Sequence, residues 1–184
     1  INVGITGKPV MEFDEMTQSR RDTLLATVVS IGLVSLIFIF GYREVGRPIK
    51  ATCCLIIALG YTLVYTSLCV GYLNILTIAF LPMLVGLAID FGVHLITRFE
   101  EELLLHGDAS RAAYQAIVNT GAGIVTGCLT TAGAFFAMAL TEFKGVREMG
   151  LITGGGMLLS LIPMMTMLPA WLLSTARSSK KVFS

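Results

Sequence analysis

Charge is scarce in this chain: 14% of its 184 residues carry one, and these sit in short islands between apolar runs. A water-soluble domain of this size has no interior large enough to hide 55% hydrophobic residues. The scarcity of charge therefore points to an integral membrane protein. No basic cluster is present, so a nucleic-acid partner is not expected. The four cysteines, Cys53, Cys54, Cys69 and Cys128, lie in apolar segments without CxxC spacing, which argues against a disulfide framework or a metal site. Histidine occurs only as His94 and His106, and no nucleophile, base and orienter stand together. An enzyme is not expected, nor a cofactor. Gly154-Gly155-Gly156 is not a phosphate loop, since no strand precedes it and no Lys-Ser/Thr follows. Residues 1–22 hold no apolar stretch of signal-peptide type, and the chain starts on Ile, as a piece of a longer polypeptide would.

What is present is apolar length. Runs near the 20 residues that cross a bilayer give five spans: Thr23 to Tyr42, Ala51 to Val70, Leu73 to Thr97, about Ile117 to Leu140 and about Met149 to Leu173. The expected fold class is an all-α membrane bundle over residues 23–174, with a tail over 175–184 on the cytoplasmic side. If the spans alternate, Arg43, Arg47, Lys50, Arg98, Arg111, Arg177, Lys180 and Lys181 share one side. Lys8, Arg20, Arg21, Lys144 and Arg147 share the other. The richer side is cytoplasmic by the positive-inside tendency, which places the N-terminal segment outside. Ile1-Asn2-Val3-Gly4-Ile5 alternates as a strand does, and Gly7-Lys8-Pro9 reads as its closing turn. Glu12 to Asp22 reads as a polar helical lead-in. Asp108 is placed to cap a separate interfacial helix over Ala109 to Ala116. Glu100-Glu101-Glu102 reads as a solvated helix end rather than a metal patch.

Asp90 is the only acid in the third span. A carboxylate at that depth costs about 2.5–3.5 kcal/mol on insertion scales, so such groups usually face the bundle interior and carry function. Gly86, Asp90 and His94 fall at i, i+4 and i+8 on one helical face, and Arg98 extends the stripe. A carboxylate one turn from an imidazole makes a proton-handling column, since both groups titrate within reach of neutral pH when burial shifts them, and burial is expected to raise the pKa of Asp90. The plainer alternatives are a carboxylate bonding a neighbouring helix and an imidazole bonded to headgroup water.

Pro82 is expected in the middle of this span, kinking the helix or freeing a carbonyl, and Gly86 adds flexibility. In span four, Gly123, Gly127, Thr130, Ala134 and Ala137 form a small-residue seam containing the close-packing Gly-x-x-x-Gly pattern. The seam is expected to bring Thr126, Thr130 and Thr131 to the depth of Asp90, unless their hydroxyls bond their own helix instead. Pro163 and Pro169 are expected to break span five.

Phe80 to Leu95, with its Pro82-Met83-Leu84-Val85-Gly86-Leu87-Ala88-Ile89-Asp90-Phe91-Gly92 centre, resembles the fourth transmembrane helix of the resistance–nodulation–division (RND) superfamily. It is most similar to the branch of MMPL-type lipid exporters, which includes hopanoid transporters and has sterol-sensing and Patched-like relatives. Thr126 to Phe136 resembles the fifth helix of that family, Phe143 to Gly150 the bend into the sixth, and Val3 to Val10 the last strand of its porter domain. The resemblance covers nearly the whole chain, in the family's order. It implies helices two to six of one transmembrane half, and Asp90 at the position of an acid in the proton relay. Many relatives follow that acid with Tyr. Phe91 stands here, leaving His94 or a span-four threonine to supply the missing bond.

The reading that results is a fragment of a proton-motive-force-driven exporter of hydrophobic or amphipathic envelope lipids in the inner (plasma) membrane. Asp90, His94, Thr130 and Thr131 are its relay candidates, and Pro82, Gly86, Gly123 and Gly127 its packing and flexing positions. Its partners are lipid, protons, and the second transmembrane half and porter domain of the same polypeptide, with homo-oligomerisation left open. Two other readings stand beside it: a sterol-sensing-like domain that binds lipid without pumping, and an accessory subunit of protein translocation.

Overall fold

A computed structural model of the chain describes residues 8–42, 46–71 and 75–182. Every regular element among them is a helix: α1 (Lys8–Tyr42), α2 (Gly46–Cys69), α3 (Ile75–Ile78), α4 (Phe80–His106), α5 (Ala109–Met138) and α6 (Lys144–Val182). The strand expected over residues 1–5 lies outside the described residues. Five helices are long and apolar enough to cross a membrane, over Met16–Tyr42, Gly46–Cys69, Phe80–His106, Ala109–Met138 and Lys144–Ser174. This is a membrane protein of the expected all-α class.

The element boundaries differ from the sequence expectation in four places, each with a local cause. The third span is divided: α3 ends at Ile78, and α4 starts at Phe80. Pro82 therefore occupies the first turn of α4 rather than its middle. Having no N–H, it cannot bond the Ile78 carbonyl, and the first turn is where a missing donor costs least. The stretch from Ala109 to Ala116 is the start of α5, not a separate helix. Asp108 caps it as expected, in extended conformation, its side chain accepting from the Arg111 N–H at 3.2 Å. Gly107 closes α4 in the left-handed region at φ 65°, which only glycine enters at no steric cost. Finally, α6 runs through Pro163 and Pro169 without ending, and continues into the stretch read as tail. Membrane helices tolerate such prolines where neighbouring helices satisfy the freed backbone groups.

α6 is the central element, packed along both α5 and α2, while α4 touches α5, α6, α1 and α2. Its glycines make this possible. A Cβ on Gly150 would strike the Phe135 carbonyl oxygen, and one on Gly154 would lie 2.9 Å from the Phe136 ring, both on α5. On the other side, a Cβ on Gly155 would strike the Tyr65 ring, and one on Gly156 would come within 2.6 Å of Thr62 Cγ2, both on α2. Close backbone approach of this kind drives helix association where lipid offers no hydrophobic contrast. α1 lies at the periphery and exposes Leu24, Leu25, Val28, Val29, Leu33 and Phe40.

Candidate functional site

The stripe on α4 is built by the helical period. Asp90 and His94 are both exposed and line one side of a cleft of about 390 Å³ between α4 and α5. Asn119, Thr120, Gly123, Gly127 and Thr131 line the other side, and Met157 of α6 contributes to the wall. Because α4 and α5 run antiparallel, Thr131 stands across from Asp90, and Asn119 marks the end of the cleft nearest the α4–α5 loop.

Of the four relay candidates, the structure brings Asp90, His94 and Thr131 to this cleft. Thr130 is not among its lining residues: its hydroxyl donates to the Gly127 carbonyl of its own helix at 2.9 Å. Thr126 does the same to Ala122 at 2.8 Å. These two follow the self-bonding alternative.

The seam glycines also act differently from close-packing residues within this chain. A Cβ at Gly86, Gly123 or Gly127 would meet nothing within 4 Å. Of these, Gly123 and Gly127 line the cleft, and their lack of a side chain keeps it open. The packing expected of them falls instead to Gly150, Gly154, Gly155 and Gly156, and α5 turns Ile124, Cys128 and Ala132 inward. Gly92 on the opposite side of α4 does pack, against Ala51 and Met164. Phe91 is buried at 8% exposure and fills core rather than presenting a polar group.

Among the described residues, none hydrogen-bonds or ion-pairs with the Asp90 carboxylate. The nearest fixed cation along the stripe is Arg98, two turns away, and it is already engaged. Its guanidinium holds Glu101 at 2.9 Å and Glu102 at 2.7 Å. A negative charge on Asp90 is thus uncompensated among the described residues. At membrane depth such an acid must be hydrated, protonated or matched by another surface.

Within the glutamate triplet, Glu101 is exposed as expected of a solvated helix end, but Glu102 is not. Glu102 is 4% exposed and accepts from Arg98 at 2.7 Å and from Asn119 Nδ2 at 3.2 Å, and its other oxygen lies 3.4 Å from His106 Nε2. Glu100 pairs with Arg47 of α2 at 2.6 Å. Tyr42 of α1 bonds the Thr97 hydroxyl at 2.6 Å and the Val93 carbonyl at 3.2 Å. The loop-side half of α4 is consequently tied to α1, α2 and α5, while the Asp90 segment faces the open cleft. The signal for Glu102 and His106 was in the sequence, since both continue the four-residue stripe from Arg98. Asn119 and Thr120 carried no comparable signal.

The comparisons with known proteins agree with this architecture. The model of the MMPL family matches residues 1–183. The chain is 29% identical over 170 residues to the hopanoid transporter HpnN of Burkholderia multivorans, and 30% identical over 171 residues to that of Rhodopseudomonas palustris. Each match covers 92% of this chain and 19% or 20% of the relative, so the chain spans about a fifth of their length. It is also 28% identical over 95 residues to the sulfolipid-1 exporter MmpL8 of Mycobacterium tuberculosis, covering 52% of this chain and 9% of that protein. The chain belongs to the MMPL family.

Proposed function

We propose that this member of the MMPL family is the membrane-spanning part of an exporter that moves hydrophobic or amphipathic lipids across the inner membrane, driven by the proton-motive force. The observation that carries this reading is Asp90: a carboxylate on a membrane helix, in a glycine-lined cleft, with no cation among the described residues to match it. Relatives named as hopanoid transporters and a sulfolipid-1 exporter support lipid as the cargo class.

In this reading Asp90 takes up a proton from outside and releases it inward. His94, one turn along, receives it, and the Thr131 hydroxyl stabilises the acid across the cleft. Thr130, bonded to its own helix, is left out of the relay. The magnitudes are compatible. One charge crossing a potential of 100 mV yields about 2.3 kcal/mol, and an ionised acid at mid-membrane costs about 2.5–3.5 kcal/mol. Protonation thereby switches whether the α4–α5 face can be covered by apolar or small-residue surface. That surface would belong to a second transmembrane half of the same polypeptide, with a porter domain above it to receive lipid. A lipid sensor that does not pump has no need of an uncompensated acid at this depth.

Asp90→Asn in the full-length protein, reconstituted with an imposed pH gradient, tests the assignment. Lipid export should fall to background. Export at the wild-type rate would remove Asp90 from the mechanism.

A further inference from the structure

The polar stripe on α4 does not stop at Arg98. Glu102 and His106 continue it at the same four-residue spacing, so Asp90, His94, Arg98, Glu102 and His106 descend the helix in steps of about 6 Å. Four residues overshoot one turn by about 40°, so the stripe winds from the cleft at Asp90 to a position under α5 at Glu102. Asn119 joins the two ends: it lines the cleft beside His94, and its amide donates to Glu102.

Glu102 Oε1 accepts from Arg98 and Asn119, while Oε2 lies 3.4 Å from His106 Nε2, within reach of an ion pair once the imidazole is protonated. Its side chain is 5% exposed, whereas that of His106 is 31% exposed and open to solvent beside the loop. One guanidinium faces two carboxylates, Glu101 and Glu102, which leaves the cluster one charge negative while His106 is neutral. A single proton neutralises it. Among the described residues, the charged groups that other helices bring to this end of α4 are the exposed Arg111 at the start of α5 and two cations of α2 that are bonded nearby. Asn119 comes from α5, Tyr42 of α1 bonds Thr97, Arg47 of α2 holds Glu100, and Lys50 of α2 donates to the Trp171 carbonyl of α6. The Nε of Arg98 is buried without a partner and adds a spare donor to the cluster.

We infer that Glu102 and His106 form a second proton-binding station, at the loop-side exit of the cleft. This rests on the proton-coupled reading of Asp90. The proton leaves the Asp90 carboxylic acid for the His94 imidazole, passes through water in the cleft to the Glu102–His106 pair, and departs from His106 into solvent. One proton enters the pair and one leaves. Arg98 holds its proton permanently and acts as a counter-ion, and Asn119 orients Glu102 without carrying the proton.

The test uses the full-length protein oriented in liposomes, with pH set independently on the two sides. Wild-type export should show an inflection with pH on the side of the α4–α5 loop. His106→Gln, at an exposed edge where the fold tolerates change, should erase the inflection and slow export at least about tenfold. Glu102→Gln, which keeps the shape of the side chain, should do the same. Neither variant should alter the pH profile of the opposite face. If both loop-side profiles superimpose on wild type while Asp90→Asn is inactive, the station is wrong and the Asp90 relay stands. If Asp90→Asn exports at the wild-type rate, both fall.

Discussion

At the residue scale, two threonines adjacent in sequence have opposite circumstances. Thr131 lines the cleft opposite Asp90, whereas the Thr130 hydroxyl is bound to Gly127. An intramembrane hydrogen bond is worth about 0.6 kcal/mol on average, so Thr131→Val should slow export about threefold. Thr130→Val removes only a bond within its own turn and should leave the rate near wild type. Initial export rates in liposomes separate the two. The sequence pointed to both residues because their depth in span four can be counted, but one step of about 100° around a helix decides which of them lines the cleft. That rotation depends on how α5 packs on α6, which periodicity alone does not specify.

At the scale of elements, the five membrane helices were legible because a bilayer demands length and apolarity, and both are local properties. The cap at Asp108 was legible for the same reason. The glycines divided otherwise. Small residues at spacings of four and three mark a face free of bulk, but an open cleft and a tight contact produce the same pattern. In this fold the seam of Gly123 and Gly127 is open, and Gly154-Gly155-Gly156 makes the contacts. Gly155→Ala should therefore destabilise the protein by about 1–3 kcal/mol through overpacking against Tyr65, and Gly123→Ala should cost little. Thermal unfolding of the two variants in detergent checks this. Glu102 was misread for a related reason. An acidic run at a helix end usually faces water, and the burial of Glu102 depends on Asn119 arriving from another helix.

At the scale of the whole molecule, the chain arranges one end of α4 as a closed polar network and leaves the Asp90 segment facing a cleft. Tyr42, Arg47 and Asn119 fasten the loop-side half, and no described residue neutralises Asp90. A bundle held this way can change the charge state of its cleft without loosening its core, as a coupling device requires. The MMPL family match fits this architecture. The most direct measurement of the central claim is proton influx during lipid export, read with a pH-sensitive dye inside liposomes carrying the full-length protein. Wild type should acidify the lumen in step with lipid movement, and Asp90→Asn should do neither. Proton influx of wild-type size through Asp90→Asn would contradict the account.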